Sequence, residues 1–298
     1  MPGALGFGFK VGHWTDRAAL TGCTVVLPPA GNVAACDIRG SAPGSRELAM
    51  LDPDRRHTEV HAVLLTGGSA FGLAAADGVM RWLAERDIGY RTPIATVPIV
   101  PAAVVFDLGS GRPEVHPGPE AGYAACEAAT EAPVETGPVG AGTGVTVGKW
   151  AGFEFGSRGG LGLAAAEAEG HRVAALAVVN SVGDVIAADG RVLAGSTAPA
   201  PAHRAPAPGD PPDASSTVLA LVATRGSLDK RAVRWLAARG SDGITISVRP
   251  AHTLYDGDVT FAVAAPDEPG APAPPLEALG PLATLAVADA VRRAVVPE

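Results

Sequence analysis

The chain has 298 residues, 47% of them hydrophobic and 18% charged, with 38 glycines and 27 prolines; this suffices for one large packed domain and excludes a disordered chain. A formal net charge of −8 without any long basic run excludes a nucleic-acid binder, because neutralising phosphates needs a basic face. Three cysteines without CxxC spacing, Cys23, Cys36 and Cys126, exclude a disulfide framework and a structural zinc site and read as small buried hydrophobes.

The N-terminal segment MPGALGFGFKVGHW has no basic stretch ahead of an apolar core, and no segment reaches the roughly 20 apolar residues of a membrane span. A cytoplasmic protein without membrane contact is the expectation. Apolar, β-branched runs bounded by Gly and Pro predict strands over 23–27, 60–65, 173–179, 218–223 and 259–264. Between them, residues 71–85 place Phe71, Ala75, Val79 and Leu83 at steps of four, which predicts an amphipathic helix with Ser69 as its cap. A second helix is expected over 228–238 and a third over 276–295, the latter interrupted at Pro281. This order lacks the regular rhythm of a doubly wound sheet and fits a layered α+β sandwich in one domain, residues 1–298.

One stretch breaks the composition. Residues 197–213 are dense in Ala and Pro and hold no large apolar side chain, so they read as a flexible linker. An apolar strand follows at once, opening Ser216-Thr217-Val218. A tether running into Ser-Thr at a strand start is what a backbone self-cleavage site requires. A Thr freed at a new N-terminus carries both a hydroxyl nucleophile and, in its own α-amine, a base of reference pKa about 8. The alternative is a β-branched residue that simply favours a strand.

Partners for Thr217 are available. In HTLYDGDVTF, Asp256 and Asp258 are two apart and would share a side of an extended chain, although Tyr-Asp-Gly-Asp is also ordinary turn chemistry. His252 lies four residues before Asp256 and could line the same site. In VGAGTGVTVGKW, Trp150 follows Lys149 where a phosphate loop needs Ser or Thr, so nucleotide binding is rejected. Lys149 then reads as an exposed lysine or as a desolvated cation that holds a reacting carbonyl. Asn180 closes the run ALAVVN and either ends the strand or donates to an oxyanion. His57 and His61 form an HxxxH pair, but the intervening Thr-Glu-Val and the absent third ligand do not fit HExxH zinc chemistry.

These segments, with VGHWTD, TGCTVVLPP, LLTGGSAFGLAAADGVMRWL and STVLALVAT, run from residue 11 to 264 in the order in which the chain resembles the self-cleaving aminopeptidases related to L-aminopeptidase/D-amidase-esterase. That family also includes β-aminopeptidases and nylon-oligomer hydrolases. The resemblance implies an αββα sandwich of the N-terminal-nucleophile hydrolase type, which hydrolyses a peptide or small-molecule amide without metal or cofactor. It implies cleavage between Ser216 and Thr217 into pieces 1–216 and 217–298, and assembly of these pairs into a homo-oligomer such as a tetramer. It assigns Thr217 as nucleophile, Asp256 and Asp258 as the acidic pair, Asn180 as helper and Lys149 as the glycine-flanked lysine, a set similar to the nylon-oligomer branch. Two departures stand out: Ser216 replaces the usual Asn or Gly before the nucleophile, and Phe106 aligns with a tyrosine that assists the oxyanion in some members. An acyltransferase of the ornithine acetyltransferase type and an uncleaved, non-enzymatic binding protein are the competing expectations.

Overall fold

Side-chain alternation along the strands sorts the core of this computed structural model, which describes residues 3–199 and 216–296, into three apolar layers. In chain order its main elements are β1 (Lys10–Asp16), β2 (Thr21–Leu27), β3 (Val33–Ile38), β4 (Ser45–Arg46), β5 (Val63–Thr66), α1 (Ala75–Ala84), β6 (Ala102–Val104) and α2 (Pro119–Glu127). There follow β7 (Gly160–Ala168), β8 (His171–Asn180), β9 (Thr217–Arg225), α3 (Lys230–Ser247), β10 (Val259–Ala265) and α4 (Leu276–Arg293). The strands form two five-stranded sheets, in the orders β1-β2-β5-β6-β4 and β7-β8-β9-β10-β3.

Along β8, Val173, Ala175, Ala177 and Val179 pack under Val233, Leu236, Ala283 and Val287 of α3 and α4. The alternate residues Ala174, Leu176 and Val178 face Val26, Val63 and Leu65 of the other sheet. That sheet's outer face, through Cys23, Val25, Leu64 and Ala102, is covered by Ala75 and Val79 of α1 and Ala121 and Ala125 of α2. Helix, sheet, sheet, helix is therefore the order of layers, the expected αββα sandwich, and period-2 burial on both sheet faces is its cause. All three cysteines are free and buried.

Several local expectations differ. The third helix runs through Pro281 without a break; proline so close to a helix start removes one backbone bond, and the Thr284 hydroxyl donates to the Gly280 carbonyl beside it, 3.3 Å. The second continues past residue 238 to Ser247 because Gly240 and Gly243 let it lie close to its neighbours. A Cβ on Gly240 would come within 2.8 Å of Val222 and Thr260 side chains. Ser69 does not cap α1: it has a left-handed φ of 52° and opens a 3₁₀ turn, Ser69–Ala74, that precedes the helix. Phe71 is mostly exposed and stacks on His116 at 5.0 Å. Of the linker expected over 197–213, residues 200–213 lie outside the described residues.

Register then fixes the neighbourhood of Thr217. β8 and β9 are antiparallel with Asn180 opposite Thr217. β9 and β10 are parallel, joined by α3 as such a pair requires, with Leu219 opposite Val259. The first residue of β9 thus lies between the last residue of β8 and the turn that leads into β10. Thr217 shares the parity of Leu219 and Leu221, which face the layer between the sheets.

Candidate active site

Thr217 and Ser216 are both buried. The Thr217 hydroxyl donates to the Ser216 carbonyl oxygen at 2.5 Å, which holds it against the peptide group immediately before it. That same oxygen accepts the Gly257 N–H at 2.8 Å, while the Ser216 N–H donates to the Tyr255 carbonyl at 3.1 Å. Ser216 and Asp256 form a parallel β-bridge. Gly257 suits this place because a Cβ there would meet the Thr217 Oγ1 at 2.9 Å and the Ala42 carbonyl oxygen at 2.6 Å. A hydroxyl beside a carbonyl whose oxygen already accepts a fixed N–H is an arrangement suited to addition at that carbonyl.

Two buried carboxylates flank the bridge. Asp258 accepts the Val218 N–H on Oδ1 at 2.6 Å, and on Oδ2 the ring Nδ1 and backbone N–H of His252 at 2.7 and 3.2 Å. Asp256 accepts the Thr253 N–H at 2.8 Å and the Val182 N–H at 3.4 Å. Burial, and then the charge of Asp258, raise the Asp256 carboxyl above its ordinary range. For His252, burial lowers the pKa, but the hydrogen bond to Asp258 and its charge outweigh that and the net direction is up. The turn and site readings of YDGD both hold: Asp256 N–H closes a turn onto Thr253 O at 3.2 Å, and the turn delivers both carboxylates to the start of β9. The other ring nitrogen of His252, Nε2, lies 3.0 Å from Thr245 Oγ1.

On the other side, Lys149 is buried and its Nζ donates to the Asn180 side-chain oxygen at 2.8 Å and main-chain oxygen at 3.2 Å. Burial lowers its pKa from 10.5 to about 7, with the charge of Asp256 pulling the other way. The exposed-lysine alternative is thereby removed. Asn180 is itself committed: Oδ1 also accepts the Thr146 N–H at 3.1 Å, and Nδ2 donates to the Phe106 carbonyl at 2.9 Å. It ties the lysine to the end of β8, and Phe106 enters through its main chain. Thr217, Asp256, Asp258, Lys149 and Asn180 thus belong to one buried region at the ends of β8, β9 and β10.

Sequence reasoning missed two backbone features: the Gly257 N–H, and the close approach of residues 39–42. Arg39 and Gly40 N–H groups donate to the Asp258 carbonyl and the Ala42 N–H to the Asp256 carbonyl, at 3.1 to 3.2 Å. A Cβ on Gly40 would lie 2.1 Å from the Asp258 nitrogen. A glycine among ordinary residues gives no signal of such a contact. The glycines of TGGSAFGL likewise have a structural purpose: a Cβ on Gly67 would lie 2.1 Å from Asp107, a buried carboxylate that accepts the Gly68 N–H and the Thr21 hydroxyl.

Comparison with known proteins follows the same lines. The profile of peptidase family S58 matches residues 7–297. An uncharacterized aminopeptidase of Mycobacterium leprae is 42% identical over 86% of this chain and 76% of its own length. A 6-aminohexanoate-oligomer endohydrolase of Agromyces sp. is 31% identical over 94% of this chain and 79% of its own. Among solved structures, the L-aminopeptidase D-Ala-esterase/amidase of Ochrobactrum anthropi, described as a variant of the Ntn-hydrolase fold, superposes with a TM-score of 0.73 at 19% identity, covering 99% of this chain and 86% of that one.

Proposed function

Because the chain belongs to peptidase family S58 and is an amide hydrolase of the Ntn-hydrolase fold, we propose that it cuts itself once between Ser216 and Thr217 and then uses Thr217 as its N-terminal nucleophile. The observation that carries this reading is the Thr217 hydroxyl, 2.5 Å from the Ser216 carbonyl oxygen, on a carbonyl already engaged by the Gly257 N–H. Thr217 Oγ attacks the amide carbonyl and the freed α-amine takes the proton. Asp258, already on the Val218 N–H, and Asp256 orient and polarise that amine. Lys149, held by Asn180, supplies a cation of lowered pKa on the carbonyl side. Gly257 N–H replaces the tyrosine hydroxyl that Phe106 lacks as the donor to the developing oxyanion.

In this reading one domain becomes two tightly paired pieces, 1–216 and 217–298, with residues 197–213 as the tether upstream of the cut. The pairs assemble into a homo-oligomer in the cytoplasm, a use for exposed apolar residues such as Ile94 and Leu254. Intact-mass analysis and N-terminal sequencing test the cut: two pieces are expected, the smaller beginning Thr-Val-Leu-Ala. Thr217→Val keeps the branched shape without the hydroxyl and should remain a single, folded, inactive chain, whereas Thr217→Ser should be cut and retain partial activity. A Val variant cut at the same bond would end the proposal.

A further inference from the structure

The carboxylate of Asp258 is bonded at both ends. Its Oδ1 accepts the Val218 N–H at 2.6 Å, from the peptide group that directly follows Thr217, and its Oδ2 accepts the ring Nδ1 and backbone N–H of His252 at 2.7 and 3.2 Å. Asp256, two residues earlier, is held by the N–H groups of Thr253 and Val182 instead. One member of the acidic pair therefore has a titratable ring of its own. The other nitrogen of that ring meets α3, where Nε2 lies 3.0 Å from Thr245 Oγ1 and 3.4 Å from the Ser241 carbonyl oxygen. The Thr245 hydroxyl donates to that same carbonyl at 3.1 Å, so its proton is committed and its oxygen is left to accept. Both ring nitrogens thus face acceptors, and only the protonated form of imidazole donates from both.

The geometry points to His252 as a positioning residue: as an imidazolium it is the counter-ion that keeps Asp258 charged and anchored with Oδ1 on the start of β9, where Thr217 is held. The assignment rests on the processing reading above and adds to it a residue that acts through Asp258 rather than on the reacting atoms.

The surroundings of the ring agree with a charge. Besides Asp258, the charged group acting on it is Arg39, from the segment after β3, whose guanidinium is itself matched by Asp37 at 2.9 Å and by Asp242 of α3 at 2.8 Å. Burial, and to a smaller extent Arg39, disfavour the imidazolium, whereas the hydrogen bond and charge of Asp258 favour it, and the net direction is up. His252 also keeps a left-handed φ of 55°, a sparsely populated conformation that persists where the surroundings fix it and that clusters at functional sites. Val218, Ser241, Thr245, His252 and Asp258 all follow residue 216, so the anchor stays within one piece after the cut.

The test is His252→Asn, since asparagine tolerates the left-handed region and its amide donates one neutral hydrogen bond from near the place of Nδ1. A buried carboxylate deprived of an adjacent cation is neutralised more readily as pH falls, so kcat of the variant should be about tenfold below the parent's at pH 6, the scale of one pK unit. Towards alkaline pH the parent ring loses its proton as well, and by pH 9 the two should agree within about twofold. kcat is read with whichever of the p-nitroanilides of L-alanine and 6-aminohexanoate the parent hydrolyses faster, on protein shown by intact mass to be cut between 216 and 217. In parallel, nitrogen NMR spectra of histidine-labelled parent should show a ring, missing from the variant, that still carries protons on both nitrogens at pH 6.5, the ordinary midpoint of histidine. A ratio of kcat values that is the same at pH 6 and pH 9, or a His252 ring that is mostly neutral at pH 6.5, overturns the assignment and leaves the processing reading standing. An uncut chain, or one cut elsewhere, overturns both. The spectra use the parent protein, so a variant that fails to fold leaves the charge of the ring as the deciding result.

Discussion

Two clusters of ionisable side chains in this fold look alike in the sequence and differ in what surrounds them. His57, Glu59 and His61, with Arg56 and Tyr90, line an open cavity of about 240 Å³. Their polar atoms are largely spent on scaffold: His61 Nδ1 accepts the Ile99 N–H at 3.0 Å, Glu59 accepts the Gly31 N–H at 2.7 Å, and His57 sets its ring edge-on to Tyr90 at 4.5 Å. At Thr217, by contrast, Asp256, Asp258 and Lys149 are each 2% exposed. Burying three ionisable groups together is costly unless they hold one another in place. The difference teaches that spacing nominates residues, while the cost of burying them identifies a site.

The comparison can be broken at either cluster. The largest effect is expected at the acidic pair, where Asp256→Asn or Asp258→Asn should lower kcat by about 10² or more with the fold intact, because on the proposed mechanism each orients the Thr217 nucleophile. Steady-state kinetics and a thermal melt of each variant measure this; near-parent turnover in both would return the segment to a plain turn. An intermediate effect, on stability, is expected at Lys149. Its folded pKa, about 7, lies below the unfolded 10.5. Below pH 7 both states carry the charge, and folding bears the full cost of burying it. From pH 7 towards 10.5 the unfolded chain holds more protons, so this group makes stability rise with pH. Lys149→Met lacks that rise. Its urea midpoint relative to the parent should be most favourable at pH 6 and become less so by pH 9, and a pH-independent offset would show that the lysine is not desolvated. The smallest effect is expected at the open cluster: His57→Ala and His61→Ala should leave kcat/KM within about twofold, as substitutions away from a site usually do. A loss beyond tenfold would shift the chemistry there.

The strands of the second sheet were legible because β8, β9 and β10 are β-branched or alanine runs buried on both faces. Helix α2 was not, since PEAGYAACE presents small residues with little periodic contrast. It packs on α1 through glycines: a Cβ on Gly78 would meet the Pro119 carbonyl at 1.7 Å, and one on Gly122 the Ala75 carbonyl at 2.0 Å. Such contacts are made by missing atoms, which leave no apolar stripe to read. At the site the side chains were nominated by type and spacing, whereas the Gly257 N–H and the approach of Gly40 are backbone features without a residue signature. His252 was placed in the right neighbourhood, where its ring Nδ1 meets Asp258 Oδ2 at 2.7 Å. Phe106 was singled out for a hydroxyl it lacks, yet its carbonyl is what meets Asn180.

The order β7-β8-β9-β10-β3 has a mechanical consequence. Strands β9 and β10 come from the segment after residue 216 and are bordered on one side by β8 and on the other by β3, both from the segment before it. A cut before Thr217 therefore frees a wedge that is laced into the sheet along both edges, and it can leave only if two ladders open at once. Cleavage would change the connectivity of the molecule while leaving its mechanical integrity in place. Only after complete unfolding would the difference emerge: Thr217, Asp256 and Asp258 would then be on one strand of polymer and Lys149 and Asn180 on another, and recovery would become a second-order encounter that dilution slows.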